Sequence, residues 1–195
     1  MPVNLFSTIS LTNFDFILAY PTSQFTNWNI TSTNSAIGSA TAQMVDPSHE
    51  LFSIGVQPGQ ALRGSNGIGV ICLDILPGQS SFAPLAFTGV GLATPSNAPT
   101  PYIVFQNGRV VVIDSQVLLE GSLDASGHRI LVLYGNPGVC YQILCTTNLG
   151  FPNSWNAIDE VILTNLFQII NLENQTNSTE FFQTTAWRRG RKRNT

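Results

Sequence analysis

Short runs of Val, Ile, Phe, Tyr and Thr recur throughout the 195 residues and end at Gly, Pro or Asn. No stretch places apolar residues at the 3.6-residue spacing of an amphipathic helix. Residues 32–42 contain few helix breakers, but they lack that spacing too. Strand-length apolar runs bounded by turn residues are typical of β-sandwiches. The chain is therefore predicted to be all-β.

Charged residues make up 10% of the sequence, against about a quarter in an ordinary soluble domain. This excludes a strongly charged, disordered or coiled-coil chain and is typical of secreted all-β proteins. Five of the eight basic residues lie within 188–193, so the chain before them has three basic and eleven acidic residues, a net charge of −8. Such a body repels phosphate, so we expect no nucleic-acid partner, and residues 188–195 are predicted to be a disordered basic tail.

Neither a membrane segment nor an export signal is visible in the sequence. No apolar run approaches the ~20 residues of a spanning helix. Residues 1–4 lack the positive start and apolar stretch of a signal peptide. A secreted type of composition without such a signal predicts a piece of a longer secreted protein, extracellular or on the cell surface, or a start codon placed too far downstream.

Two series of strands divide the chain near residue 115. The first series is predicted at residues 12–20, 43–45, 51–56, 67–76, 83–90, 102–106 and 109–113, with Asn107-Gly108 as a hairpin turn. The second is predicted at residues 117–120, 129–134, 139–146, 155–158, 160–163, 166–172 and 179–184. Seven short strands fit a small immunoglobulin-like or fibronectin-like sandwich. The predicted domains are residues 1–115 and 116–187, followed by the tail.

The three cysteines are expected to be free thiols. Cys140 and Cys145 lie in one extended run, which separates them by about 16 Å at a rise of ~3.3 Å per residue. A disulfide needs Cα atoms within about 7 Å. Cys72 lies in an apolar strand and is predicted to be a small buried residue.

Residues 14–21, Phe-Asp-Phe-Ile-Leu-Ala-Tyr-Pro, resemble the second strand of cohesin-like domains, and residues 67–75, 82–87 and 107–113 follow in the family's order. The resemblance covers about residues 2–114. It implies a non-catalytic jelly-roll sandwich related to cellulose-binding modules, found in secreted polysaccharide-degrading systems, some members of which bind dockerin modules. Residues 1–3 resemble the end of the family's first strand. We therefore expect residues 2–5 to be too short for that strand and to leave a sheet edge or groove exposed.

The second series resembles a fibronectin-like module that closes many large secreted bacterial proteins. The resemblance rests on residues in the family's order: Gly135-Asn136-Pro137-Gly138, Tyr141, Thr146-Thr147-Asn148-Leu149, Ser154-Trp155 and Phe181-Phe182. It implies a structural or surface-display role without chemistry.

The polar residues show no catalytic or metal-binding pattern. His49 and His128 lie in different predicted domains beside turn residues, without a Gly-x-Ser-x-Gly elbow. No Cys-x-x-Cys, His-Glu-x-x-His or Asp-x-Asp-x-Asp-Gly spacing occurs. Asp159 and Glu160 alternate faces on a strand, and residues 67–69 and 89–91 lack the third glycine and helix of a phosphate loop. We therefore predict no enzymatic activity, no metal and no cofactor.

Trp28 and Trp155 are the candidate ligand-stacking residues. Each is flanked by Asn, and flat sugar faces stack on indole rings. The alternative is that each is an ordinary core residue of a sandwich, and this alternative is favoured. The predicted function is a non-catalytic extracellular interaction or scaffolding module associated with carbohydrate. Its partners would be protein modules, dockerin-like among them, or polysaccharide, and its oligomeric state stays open. An unrecognised hydrolase and a structural spacer of a larger secreted protein are the alternatives.

Overall fold

The computed structural model describes residues 1–22, 24–78, 80–94, 104, 106–151, 154–172 and 179–187. These ranges contain fourteen β-strands and no helix, which confirms the all-β prediction. Contacts divide the chain into two compact units. Unit 1 comprises Met1–Pro77 and Phe82–Val110, and unit 2 comprises Gly78–Ser81 and Val111–Thr195.

Unit 1 is built from two antiparallel sheets. Its strands are β1 (Pro2–Leu11), β2 (Asn13–Ala19), β3 (Phe25–Ser32), β4 (Ile37–Asp46), β5 (His49–Val56), β6 (Leu62–Ile75), β7 (Ser81–Ala93) and β8 (Gly108–Val112). The first residue of β7 and the last two of β8 are counted with unit 2. One sheet has the order β1-β6-β3 and the other β4-β5-β2-β7-β8.

The strand pairs of unit 1 are nested along the chain. β4 pairs with β5, β3 with β6 and β2 with β7, all antiparallel. A long hairpin that rolls up into two sheets has this pairing, which is the topology of a jelly roll. β1 and β8 do not pair with each other, because β1 lies at the edge of one sheet and β8 at the edge of the other.

The core of unit 1 lies between its two sheets. Phe16 and Phe52 stack with ring centroids 5.0 Å apart, and burial of each such side chain stabilises the fold by about 1.5–3 kcal/mol. Inward side chains from both sheets form one cluster: Phe14, Phe16, Leu18, Ile30, Ile37, Phe52, Ile54, Leu62, Ile68 and Ile71.

Two β-bulges decide which side chains of unit 1 point inward. In β3, Asn27 has a φ of 53°, and Asn27 and Trp28 together occupy the place opposite one residue of β6. Such an extra residue reverses the alternation of the strand, so Phe25, Trp28 and Ile30 share the inner face. In β6, Ile68 has no partner on β1, since Asn4 pairs with Gly67 and Val3 with Gly69.

Unit 2 is a smaller sandwich of two three-stranded sheets. Its strands are β9 (Leu118–Leu123), β10 (Arg129–Tyr134), β11 (Cys140–Thr146), β12 (Asn156–Ile162), β13 (Phe167–Asn171) and β14 (Phe181–Trp187). The sheet orders are β13-β10-β9 and β12-β11-β14. Both sheets contribute to one buried cluster: Leu131, Leu133, Tyr141, Ile143, Val161, Leu163, Ile170 and Leu172.

Several sequence predictions need correction. Residues 2–5 are not too short for a strand on their own, because they form the first part of the ten-residue strand β1, which pairs along β6. β3 was not predicted at all, and the separate strands predicted at 155–158 and 160–163 are the single strand β12. Cys72 is exposed, not buried, because Ile71 takes the inward position after the β6 bulge.

The remaining sequence predictions either agree with the structure or are not tested by it. Cys140 and Cys145 occupy the two ends of β11 as free thiols. The predicted strand 102–106 and the tail 188–195 fall largely or wholly outside the described residues. The predicted domain boundary at residue 115 lies inside unit 2 and stays a prediction.

Candidate functional site

An apolar groove of about 860 Å³ lies along β1 in unit 1. Consecutive residues 1–8 all line it, so β1 presents its edge to the groove and not only one face. Phe14, Phe16 and Leu18 of β2 line it, as do Leu85 and other residues of β7. Residues 106–109, at the start of β8, complete the lining. The groove therefore lies where the two sheets of the jelly roll meet at their β1 and β8 edges.

Among the residues that the structure describes, β1 is the edge strand of its sheet. β6 pairs with one side of β1, and no strand pairs with the other side among the residues that the structure describes. In the middle of β1, the Ser7 hydroxyl donates to the Ile9 carbonyl at 2.7 Å and accepts from the Ile9 N–H at 3.3 Å. Ser7 thereby satisfies the backbone of Ile9. The edge available for pairing is the stretch before Ser7.

The charged groups of the described groove lining are the Met1 α-ammonium group and one side chain. Arg109 is the only charged side chain among the described lining residues, and its guanidinium lies 5.1 Å from the centre of the Phe82 ring. Asn107 accepts a hydrogen bond of 3.1 Å from the Phe87 N–H, which ties the start of β8 to β7. The groove is therefore positive, although the chain as a whole has a net charge of −3.

Trp28 belongs to an aromatic cluster at the inner face of β3. Its ring centroid lies 4.6 Å from that of Tyr20, 5.8 Å from Phe25 and 6.1 Å from Phe52. The indole is half-buried and packs against the core of unit 1. Its Nε1 is buried and makes no hydrogen bond of good geometry, but it interacts with the Tyr20 hydroxyl, whose pKa burial raises and this interaction lowers. These contacts suit a core residue, and the stacking role of Trp28 stays a prediction.

Glu50 is a buried carboxyl on the inner face of β5, only 4% exposed. Burial raises its pKa above the ordinary value of 4.5. Burial also raises the pKa of the Tyr20 hydroxyl, and the charge of Glu50 adds to that rise. The carboxyl end of β2 and the beginning of β5 therefore share a poorly solvated environment.

Trp155, the second predicted stacking residue, belongs to unit 2, whereas Trp28 belongs to unit 1. It is half-buried and follows Ser154. The Ser154 hydroxyl lies 2.8 Å from that of Thr146 and 2.6 Å from the carbonyl of Asn148. These contacts order the segment before Trp155, and its predicted role is likewise untested.

His49 lies beside a serine and an aspartate, but the arrangement is a turn and not a catalytic triad. Its Nδ1 is 2.9 Å from Asp46 and 3.0 Å from the Ser48 hydroxyl, and that hydroxyl is 2.8 Å from the same carboxylate. A triad needs the aspartate and the serine on opposite ring nitrogens. The hydrogen bond from the Ser48 N–H, followed by those from His49 and the Ser48 hydroxyl, lowers the pKa of Asp46 to about 2.

His128 is likewise held by an aspartate of its own turn. Asp124 accepts a hydrogen bond from the His128 N–H at 2.8 Å and lies 3.2 Å from its Nδ1. The described part of the chain contains no group of three or more His, Cys, Asp or Glu suited to a metal ion. Within the same ranges, no helix has the length and apolar character to cross a bilayer.

The sequence predicts an exposed edge or groove near residues 2–5, but for a different reason from the one that the structure gives. The sequence predicts an exposed edge because residues 2–5 look too short, whereas the groove lies beside a strand of ten residues. The signal for that strand is the spacing of Val3 and Leu5 ahead of the inward Ser7. Arg109 had no signal, because its place at the groove depends on the pairing of β7 with β8.

Comparison with known proteins yields little. No protein-family model matches the chain, and no curated protein matches it. A similar solved structure is the type II cohesin dyad from the adaptor ScaA scaffoldin of Acetivibrio cellulolyticus, at 8% identity and a TM-score of 0.39. The match covers 75% of this chain and 56% of that one, so the chain spans little more than half of that structure. A likeness this distant supports no statement about partner or site.

Proposed function

We propose that the chain is a non-catalytic protein-interaction module of a secreted protein, in which unit 1 binds the partner and unit 2 has a structural role. The observation that carries the proposal is the groove beside β1, which is apolar over its described lining except for Arg109 and a few uncharged polar residues. Apolar grooves with few, well-placed polar groups are typical of binding sites.

The cohesin-like assignment of unit 1 is supported by its topology. The nested pairing is that of a jelly roll, as the resemblance of residues 2–114 implies. A dockerin-like module is therefore the first protein partner to test.

The fibronectin-like assignment of unit 2 is supported by the order of its strands. The first, second and fifth strands form one sheet, and the third, fourth and sixth form the other, as in fibronectin-type sandwiches. The residues of the sequence resemblance also have structural contacts. The Tyr141 hydroxyl accepts a hydrogen bond of 2.9 Å from the Asn136 N–H. The Thr146 hydroxyl accepts one of 3.1 Å from the Asn148 N–H.

Carbohydrate association is the second candidate function. Among the described residues, the indole N–H of Trp28 has only the Tyr20 hydroxyl beside it and makes no hydrogen bond of good geometry, and a sugar hydroxyl is one group that supplies a better acceptor. Against it, three aromatic neighbours surround the ring, which limits the face open to a sugar.

A binding comparison tests the proposal. The chain is immobilised, and its affinity for a panel of recombinant dockerin modules is measured beside its retention on insoluble cellulose and xylan. We expect saturable binding to a protein module and no retention on either polysaccharide. Retention that is lost in Trp28→Ala with unchanged thermal stability supports the carbohydrate function instead. Turnover of ester or glycoside substrates contradicts the non-catalytic assignment.

A further inference from the structure

Glu50 is a buried acid that makes neither a hydrogen bond nor an ion pair with the residues that the structure describes. It lies on the inner face of β5 with Phe52 and Ile54, and it is the only buried acidic residue in the described part of unit 1. In the two neighbouring strands it pairs with apolar residues, Leu18 of β2 and Met44 of β4. Poor solvation disfavours the charged form of a carboxyl that has no partner. The folded arrangement at Glu50 therefore suits the neutral acid.

The described strands around Glu50 supply no cation for an ionised carboxylate. β2, β3 and β4 contain no Lys, Arg or His. Arg63 lies at the beginning of β6, whereas the end of the sandwich that contains Trp28 is next to the last residues of β6. His49 is the preceding residue of β5 and therefore lies on the opposite face, where its Nδ1 is 2.9 Å from Asp46. An ionised Glu50 would therefore remain unpaired.

The other ionisable groups on the elements packed against Glu50 are a tyrosine and two acids. Tyr20 follows β2, and its ring centroid lies 4.6 Å from that of Trp28 on β3. Burial raises the pKa of the Tyr20 hydroxyl, and the charges of Glu50 and, more weakly, Asp46 raise it further. Asp74 of β6 is exposed and accepts a hydrogen bond of 2.8 Å from a side-chain amide of β3. None of these groups can neutralise a negative charge on Glu50.

One backbone hydrogen bond joins the two turns at this end of unit 1. The Tyr20 N–H, between β2 and β3, donates to the Ser48 carbonyl, between β4 and β5, at 2.9 Å. At the other end of the β2–β5 pair, the Val56 N–H donates to the Thr12 carbonyl, also at 2.9 Å. The two ends therefore have similar backbone contacts, and only one of them contains a buried acid.

We infer that Glu50 is a pH switch for one end of unit 1. With the carboxyl neutral, Tyr20 and Trp28 stay packed, and Tyr20 remains bonded to the turn at 46–48. With the carboxyl ionised, this end opens locally, water reaches the carboxylate, and the backbone hydrogen bond of Tyr20 breaks. The other end of the β2–β5 pair stays closed. The inference is independent of the proposed function.

The direction of the switch follows from the pKa of Glu50 in the two forms. Burial raises this pKa above 4.5 in the closed form, whereas a solvated carboxyl in the open form has the ordinary value. The closed form is therefore fully favoured below pH 4.5 and loses stability as the pH rises through the raised value. Since opening releases one proton in this range, the opening equilibrium should grow about tenfold per pH unit.

Amide hydrogen exchange of the full chain measures the opening at each end. Exchange rates between about pH 4 and 8 are converted to protection factors, which removes the intrinsic dependence of exchange on pH. The protection factor of the Tyr20 N–H should fall about tenfold per pH unit above pH 4.5 and then level off. That of the Val56 N–H should stay constant. Glu50→Gln is neutral at every pH, so it should make the protection factor of Tyr20 constant as well.

Two further measurements separate Glu50 from its neighbours and from an effect of the substitution on folding. Histidines change charge between about pH 5 and 8, so His49→Asn is the matched control on the same turn and should leave the pH dependence of Tyr20 in place. In the wild type, the carbon chemical shift of the Glu50 carboxyl follows its ionisation directly. Its midpoint should lie above 4.5.

Each measurement has a result that overturns the inference. The first is a Tyr20 protection factor that does not change with pH. The second is an equal change at Tyr20 and Val56, because the opening is then not local. The third is a pH dependence that persists in Glu50→Gln or disappears in His49→Asn. The fourth is a midpoint of the Glu50 carboxyl at or below 4.5.

Discussion

The two units are stabilised by different kinds of contact. Unit 2 uses polar contacts from its turns, among them the Tyr141 hydroxyl with the Asn136 N–H and the contact between Thr146 and Ser154. Unit 1 relies on stacked aromatic rings and leaves an apolar groove along β1. The polar residues of unit 2 named here therefore stabilise its fold, whereas the groove of unit 1 does not stabilise the described fold. For that reason we propose unit 1 as the binding unit.

The largest expected effect is on the aromatic cluster of unit 1. Trp28→Ala should lower the free energy of unfolding by about 3–5 kcal/mol, the usual loss for a large core aromatic. The measurement is chemical denaturation of the full chain, with the polysaccharide retention assay run in parallel. Trp155→Ala, a half-buried tryptophan of unit 2, is the matched control. If Trp28→Ala is no longer retained on polysaccharide but is as stable as the wild type, Trp28 belongs to a sugar site and does not stabilise the core of unit 1.

The next effect is expected at an ion pair that joins the two sheets of unit 2. Arg129 of β10 lies 3.2 Å from Glu180, whose side chain is 1% exposed and which directly precedes β14. Arg129→Ala removes a hydrogen bond to a charged group and should cost about 1.5–3 kcal/mol. Glu180→Gln keeps the shape and a hydrogen-bonding group, so it should cost less. Equal thermal stability of the wild type and Arg129→Ala would show that the pair does not hold the sheets together.

Strand prediction succeeded where a short, uninterrupted run of β-forming apolar residues is bounded by polar turns. β10 was predicted with its observed bounds, because Ile, Leu and Val fill residues 130–133 between polar turns. β3 was missed because the Asn27 bulge breaks the period of two, and the same bulge decides that Trp28 points inward. The exposure of Cys72 likewise depends on a bulge at Ile68. Such shifts depend on pairing with a distant strand, and no local pattern contains them.

The candidate site shows the same limit. The apolar residues of β2 are evident from the sequence, but a groove exists only where two sheet edges lie side by side. Edge positions follow from strand order, and strand order depends on contacts across the whole unit. The Tyr141 motif of unit 2 is the opposite case, because its partner Asn136 lies five residues away and the contact is local.

That local contact gives the third prediction. Tyr141→Phe removes the acceptor of the Asn136 N–H and should cost about 1 kcal/mol. Gly135→Ala should cost more, because a Cβ at Gly135 would lie 2.7 Å from the Tyr141 hydroxyl oxygen and 2.8 Å from the ring. Denaturation of the double variant tests whether the two sites act together, since removal of the hydroxyl should relieve part of the clash. Additive losses would contradict this.

The response to pH should distinguish the turn of unit 1 from its interior. Burial raises the pKa of Glu50 above 4.5, so its contribution to stability is complete below pH 4.5 and is lost as the pH rises through the raised value. Asp46 has the opposite sign, since its pKa falls from 3.8 to about 2 and its contribution is lost as the pH falls through that range. Thermal midpoints from pH 2 to 8 should decline on both sides of a maximum.

Matched variants assign the two sides of that profile. Glu50→Gln should flatten the decline above pH 4.5, and Asp46→Asn should flatten the decline at low pH. An unchanged profile in Glu50→Gln would show that the carboxyl is well solvated in the folded chain.

The smallest effect is expected for the basic end of the chain, residues 188–195, which lie outside the described residues. Five of the eight basic residues lie within 188–193, and neither an aromatic nor a repeated glycine pattern accompanies them. Aromatic platforms are what hold single-stranded nucleic acid beyond simple charge attraction. Deletion of residues 188–195 should therefore change the free energy of unfolding by less than about 0.5 kcal/mol, the usual range for surface changes. Any DNA binding by the full chain should disappear with added salt. A large loss of stability on deletion would show that residues 188–195 stabilise unit 2. DNA binding by the shortened chain would contradict the expectation that its net charge of −8 repels phosphate.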